Sequence, residues 1–234
     1  MPMNMITKKE YCIDYNELYN ELMNSPFLDD AKIKSAYLNL WIKQLKDYDK
    51  IEVEQFKDKS ILVQIAKEDF EAPEKYMLEL IYKSQRVNIF FRVSRVLQLI
   101  EPTKNNMIEY IPIEDFIKSN SYIKWDKTDT FNIKSDPIIL VPITLGVYTK
   151  FVVIDGNHRL SVWINEKKQR IPCNILDGQA LIDNNMFCSG FSKLMYIFQN
   201  ELVSLGTYTK RDKITSELLM NKIYFKTGKM LYDV

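Results

Sequence analysis

The chain has 234 residues, with 32 Lys and Arg against 31 Asp and Glu, so its net charge is +1 and it lacks the bulk positive charge of many nucleic-acid-binding domains. Its 46% hydrophobic content is enough to fill a core. A single histidine excludes paired- and triple-histidine metal centres, and six scattered glycines leave neither a GxGxxG fingerprint nor a Walker A loop.

In chain order, Met1 to Glu10 lacks the apolar region of a signal peptide. Asp14 is placed to cap a short helix carrying Leu18, Leu22 and Met23. Asp29 or Asp30 begins a longer helix, reaching about Tyr48, in which Ile33, Tyr37, Leu38, Trp41, Leu45 and Tyr48 recur at three- and four-residue steps. Ser60 to Ala66 fits a strand or a helical turn. Pro73 suits the first position of a helix with Tyr76, Met77, Leu80 and Ile81 on one face. From Arg86 to Ile100 two periods overlap. Val87, Ile89, Phe91 and Val93 alternate, while Ile89, Val93, Val96 and Ile100 keep helical spacing; the helix is the preferred expectation because no breaker intervenes.

Glu101 to Asn106 is a polar breaker. Beyond it, strands are expected at Met107 to Ile113, Pro137 to Ile143, Lys150 to Ile154 and Ile171 to Leu176. Pro137 and Pro142 suggest that their strand lies at an edge or that they mark strand ends. Short helices are expected at Glu114 to Ser119 and at Asn157 to Glu166. Residues 120–136 are polar, with Trp125 and Phe131 embedded. From Met186 the chain is helical again, with one stripe at Phe191, Leu194, Met195, Phe198 and Leu202 and another at Ile214, Leu218, Leu219 and Ile223. The expected fold class is α/β, a small mixed sheet in a core at 101–180, preceded by a helical region at 1–100 and followed by a helical extension at 181–234. No apolar run approaches the ~20 residues of a membrane span. Cys12, Cys173 and Cys188 form no CxxC motif, so the expected setting is the reduced cytoplasm.

Chemistry concentrates at Asp155-Gly156-Asn157-His158-Arg159, where a strand runs into a helix. Gly156 permits a sharp turn and close backbone approach. The backbone N–H groups from Asn157 onward then open a helix, an end that attracts phosphate. Arg159 supplies a planar fork for phosphate oxygens, His158 a donor that changes charge near neutrality, and Asp155 a carboxylate able to cap the helix or hold a divalent cation. Ordinary turn chemistry explains the same residues, with Asp155 as a cap and His158 and Arg159 solvated or tied into internal salt bridges. Lys167, Lys168 and Arg170 form a small basic cluster nearby, readable as help for an anion or as a solvated turn. The aromatic helical stripes read as core. Cys173 reads as a small core residue, and Cys188 has no visible basic activator.

The succession Ile111-Pro112-Ile113, Pro137 to Val141, Val152 to Leu160 with the Asp-Gly-Asn-His-Arg motif, and Ile171-Pro172-Cys173 resembles the ParB/sulfiredoxin superfamily over about residues 107–178. The resemblance implies that Gly156, Asn157, His158 and Arg159 cradle the phosphates of ATP or another nucleotide. It also implies that Asp155, His158 and Arg159 carry the catalytic work, Asp155 holding Mg²⁺. Asn157 stands where sulfiredoxins carry their catalytic cysteine, so sulfinic-acid repair is not expected. Val162 replaces an alanine of the ParB pattern, and the second ParB motif, Glu-Asn-x-x-Arg, is absent. The free serine kinase branch carries Asp-Gly-x-His-Arg, which Asp155 to Arg159 match. A bacterial, kinase-like phosphotransferase acting on a small-molecule or protein hydroxyl is therefore the leading expectation. Its general base is open among Glu114, Asp115, Asp126 and Asp129. The alternatives are a ParB-type DNA-associated regulatory module or a metal-dependent nuclease of a mobile element.

Overall fold

The computed structural model describes residues 13–55, 57–58, 60, 63–64, 67, 70–71, 73–82, 85–102, 108–128, 136–144 and 149–231. Most of the 60–66 stretch, together with Cys12, Phe131 and Asp129, lies outside them. The chain is mixed α/β, as its sequence indicates. It forms two compact units, one of Met1–Ser94 with Met186–Val234 and one of Arg95–Asn185. The two terminal regions, separate in the sequence, thus share one unit.

In the first unit, α1 (Tyr15–Met23) starts where Asp14 Oδ1 accepts the N–H groups of Asn16 and Glu17, and α2 (Ala31–Gln55) starts where Asp30 Oδ1 accepts those of Lys32 and Ile33. Each bond satisfies a donor that the first helical turn leaves open. The buried stripe of α2 is Tyr37, Leu38, Trp41, Ile42 and Leu45, at the expected spacing.

The expected helix beginning at Pro73 is instead a hairpin of β1 (Lys75–Tyr82) and β2 (Gln85–Arg92), in antiparallel register with Leu78 opposite Ile89 and Leu80 opposite Val87. Alternation wins up to residue 92, burying Val87, Ile89 and Phe91 on one face. Helical spacing wins from 93, where Val93, Val96 and Ile100 are the buried residues of α3 (Val93–Ile100). Both periods are real, and each belongs to its own half of the segment. The outer side of β2 is met by residues 186–188. There Arg92 N–H donates to the Met186 carbonyl, Cys188 N–H donates to the Phe90 carbonyl, and the Phe91 and Phe187 rings lie 5.2 Å apart. Helix therefore resumes at Gly190, not Met186. Ser189 Oγ accepts the Ser192 N–H and opens the long helix Gly190–Thr207.

The second unit holds a curled five-stranded sheet. Its strands are β3 (Ile108–Pro112), β4 (Ile123–Lys124), β5 (Ile138–Thr144), β6 (Lys150–Asp155) and β7 (Arg170–Ile175), in the order β3-β7-β5-β6-β4. The outer pair β3–β7 and the pair β5–β6 are antiparallel, while β5–β7 and β4–β6 are parallel. β5 is central, not an edge strand. Its prolines are tolerated because Pro137 precedes it and because β7 pairs only as far as Leu140. Pro142 sits beyond that point, beside a register shift against β6, where its missing N–H breaks no ladder with β7.

Among the described residues the unit also holds most of α3, together with α4 (Glu114–Ile117), α5 (Asn157–Asn165) and α6 (Gly178–Asp183). Asp177, which follows the last strand, caps α6 by accepting the Ala180 N–H. Leu160 and Trp163 of α5 join Ile138, Leu140, Val153, Ile171 and Cys173 in a contiguous buried cluster. Each large apolar side chain there contributes about 1.5–3 kcal/mol of burial. That anchorage fixes the start of α5 against the end of β6.

In the first unit, Gly190–Thr207, here α7, is followed by a π-helical turn at Tyr208–Asp212, then α8 (Ser216–Met220) and α9 (Tyr224–Thr227). The expected stripe of α7 is wholly buried. So are Tyr196, Ile197, Asn200, Glu201, Ser204 and Leu205 on its other sides, so α7 is an interior helix and not an amphipathic one. Of the second expected stripe, Leu219 and Ile223 are buried and Leu218 is exposed. No helix among the described residues is long and apolar enough to cross a membrane.

Candidate phosphate-binding turn

β6 must turn into α5 within one residue, and Gly156 makes that turn at φ 96°, ψ 16°. This left-handed conformation favours glycine. Space requires glycine as well, because a Cβ there would stand 2.5 Å from Ile138 Cγ2 and 2.9 Å from Arg159 Nη2. Gly156 thus lets the turn close onto β5.

The side chains that follow divide between protein and solvent. Asp155 does not cap α5, whose start carries no side-chain cap. Its carboxylate accepts from Arg159 Nη2 at 2.7 Å, a pair four residues apart with side chains 25% and 14% exposed. The same Nη2 reaches the Pro137 carbonyl at 3.4 Å, so one guanidinium joins the end of β6 to the entry of β5. Arg159 Nε is buried and has no hydrogen-bond partner among the described residues. Asn157 points into the protein: Oδ1 accepts the Asp126 N–H at 2.9 Å and Nδ2 donates to the Val153 carbonyl at 3.1 Å. Ser161 continues the fastening, donating to the Asn157 carbonyl and accepting the Thr128 N–H at 3.1 Å. His158 is exposed.

The four charged or amide side chains expected to meet a ligand therefore separate. His158 faces outward, Asp155 and Arg159 face each other, and Asn157 holds the segment after β4.

The described candidate bases also separate. The Asp126 backbone is bonded to the Asn157 side chain, at the motif end of the sheet. Asp115 lies toward the opposite end. Its carboxylate accepts from Lys118 Nζ at 3.2 Å and from the Tyr122 hydroxyl at 3.1 Å, and the Tyr122 carbonyl accepts the N–H of Phe151 at the start of β6. Burial, and then the Asp115 bond, raise the Tyr122 hydroxyl above its usual value. Glu114 begins the same short helix as Asp115 and is exposed.

The basic cluster is not at the turn. It follows the far end of α5, about 13 Å of helix away. There Lys168 Nζ lies 4.7 Å from the Trp163 ring centroid, and Arg170 donates to the Tyr110 carbonyl. Cys173 is fully buried, and burial pushes its thiol up to about 12, which makes it inert.

A phosphate fits the turn on two observations: the uncapped start of α5 and the donor Arg159 Nε, partnerless among the described residues. A preformed divalent-metal centre does not fit. Asp155 is engaged by a cation already, and no group of three metal-ligating side chains occurs among the described residues. Sequence reasoning missed a second polar site, the buried Glu201 of α7. Its signal was legible: Glu201 is the one charged residue between Lys193 and Lys210. No family model, no curated protein and no solved structure matches this chain.

Proposed function

We propose that the turn Asp155 to Arg159 holds the phosphates of ATP or another nucleotide, and that the chain is a ParB/sulfiredoxin-like phosphotransferase acting on a small-molecule or protein hydroxyl. The observation that carries this reading is the uncapped first turn of α5 behind the left-handed Gly156, with the Arg159 guanidinium beside it. The nucleotide, when bound, brings the phosphoryl group and whatever Mg²⁺ accompanies its phosphates. The chain supplies the opening amides of α5 and Arg159 to hold the anion, with His158 as an outward donor near the transferred charge. Of the described candidate bases, Asp126, whose backbone N–H is fastened to Asn157, is the one we assign to accept the acceptor's hydroxyl proton.

A second reading has its own support. The Asp155–Arg159 pair and the Asn157 and Ser161 bonds make the motif a structural clasp that binds nothing. Calorimetric titration with ATP, ADP, CTP and inorganic phosphate, with and without Mg²⁺, separates the two. The phosphotransferase reading expects nucleotide binding that weakens at least about tenfold in Arg159→Ala and in the exposed His158→Ala. Absence of binding to every anion overturns it and leaves the clasp. Metal-dependent nicking of DNA, lost in Asp155→Ala, would establish the nuclease instead. A salt-sensitive DNA shift without nicking would establish the regulatory module.

A further inference from the structure

Glu201 stands in the middle of α7, 2% exposed, in the helical unit. A buried carboxylate ordinarily sits beside a cation. Among the described residues none faces this one. Three neutral polar groups surround it instead. From α2, Trp41 Nε1 donates to Oε2 at 3.1 Å, and the Tyr37 hydroxyl stabilises the charged form from the same helix. From α9, the Tyr224 backbone N–H donates to Oε1 at 2.9 Å. From the hairpin, Phe91 packs against Tyr196 of α7, and the Phe90 N–H donates to Ser192 Oγ of the same helix.

The third of these matters most, because it belongs to the C-terminal segment. That segment crosses the helices at two points. Ser216 Oγ accepts the Asp30 N–H at 3.3 Å at the start of α2, and Tyr224 binds Glu201 near its middle. Between and around these points Leu219 and Ile223 are buried, and the Phe225 ring lies 4.4 Å from that of Trp41. Removing the segment would expose both Glu201 and Trp41.

We propose that residues 216–231 form a proton-linked strap, which seats on the neutral Glu201 carboxyl and loosens as that carboxyl ionises. The strap excludes water from Glu201, so the seated state opposes the charge more than the lifted state does. Burial accordingly pushes Glu201 from 4.5 up to about 7, against the three polar groups, which pull the other way. The seated state thus binds the proton more tightly than a lifted one. Acid favours seating, and a rise of pH through neutrality favours lifting. While the strap is seated, the Tyr224 and Trp41 bonds position the carboxyl, and its ionisation is opposed by desolvation.

Hydrogen exchange across the strap tests this in the full chain, with rates corrected for intrinsic pH dependence. Between about pH 5 and about pH 8, protection of the Tyr224 to Met230 amides falls at least about tenfold, while Val152 and Val153 in the sheet stay constant. Glu201→Gln, neutral at every pH, abolishes the dependence. Trp41→Phe, which removes a donor to the charged form, moves the midpoint to higher pH. Flat protection in the native chain overturns the strap, even if both variants fail to fold. So does a pH dependence that survives in Glu201→Gln.

Discussion

Each compact unit encloses a carboxylate in a different way. In the α/β unit, Asp155 sits at the end of a strand, keeps a quarter of its side-chain surface, and meets Arg159 four residues later at 2.7 Å. In the helical unit, Glu201 is sealed in an interior helix and accepts, among the described residues, from an indole and a backbone amide. The first arrangement matches charge locally and asks little of the distant chain. The second has no counter-charge, so its protonation is coupled to whatever covers it. Glu201 contacts come from residues 160 and 23 positions away. The strand–turn–helix motif can therefore pair the charges of the first arrangement locally, with the sheet adding only the Pro137 contact, whereas the second exists only once three helices have assembled.

Four experiments break or sharpen this contrast. The largest effect falls on the local motif. Gly156→Val must adopt a left-handed φ and place a branched side chain against Ile138, at a combined cost of about 4 kcal/mol. Chemical denaturation should show a matching loss, and a near-neutral result would mean that the turn can rearrange. Next comes the pH dependence of the Glu201 unit. Its folded value lies above its unfolded one, so the folded state holds the extra proton between about 4.5 and about 7. Stability is full below that window, is lost as pH rises through it, and is level above it. The change is of order 3 kcal/mol and should vanish in Glu201→Gln.

The third effect is smaller because Asp155 and Arg159 retain some water. Arg159→Ala strands a partly buried carboxylate and the Pro137 carbonyl, costing about 2 kcal/mol by thermal or chemical unfolding, less than a fully buried pair would. Asp155→Asn, which keeps an acceptor, should cost less than Arg159→Ala; the reverse order would mean that Arg159 gains more from packing than from charge. The smallest is Asn157→Ala, which removes two hydrogen bonds at the surface, one to Asp126 and one to Val153. About 1 kcal/mol is expected, read in exchange of the Asp126 and Thr128 amides more clearly than in global stability.

The caps at Asp14 and Asp30 and the left-handed Gly156 are local matters, which is why short stretches of sequence reveal them. The hairpin at 75–92 is not legible in the same way. Residues 86–100 carry two periods at once, and only pairing with β1 and with residues 186–188 decides where one ends. The motif shows a similar division. Its position at a strand–helix junction reads directly from Val152 to Leu160. The inward turn of Asn157 depends on Asp126 and the Asp155–Arg159 pair bridges to Pro137, so both require the sheet order. Pro142 shows the same dependence: a proline leaves open an edge strand or a strand end, and only the sheet order shows that β5 is central and that Pro142 lies past the end of its pairing with β7.

Composition and periodicity by themselves determined the α/β class, the main strands of the sheet, the starts of α1, α2 and α5 and the glycine turn, because each depends on neighbours within about one or two turns of chain. Tertiary structure decided which side chains at that turn are engaged by the protein, that the Asp126 backbone is fastened beside it, and that Glu201 lies under the C-terminal segment. Those outcomes depend on contacts between residues far apart in sequence, which periodicity does not encode.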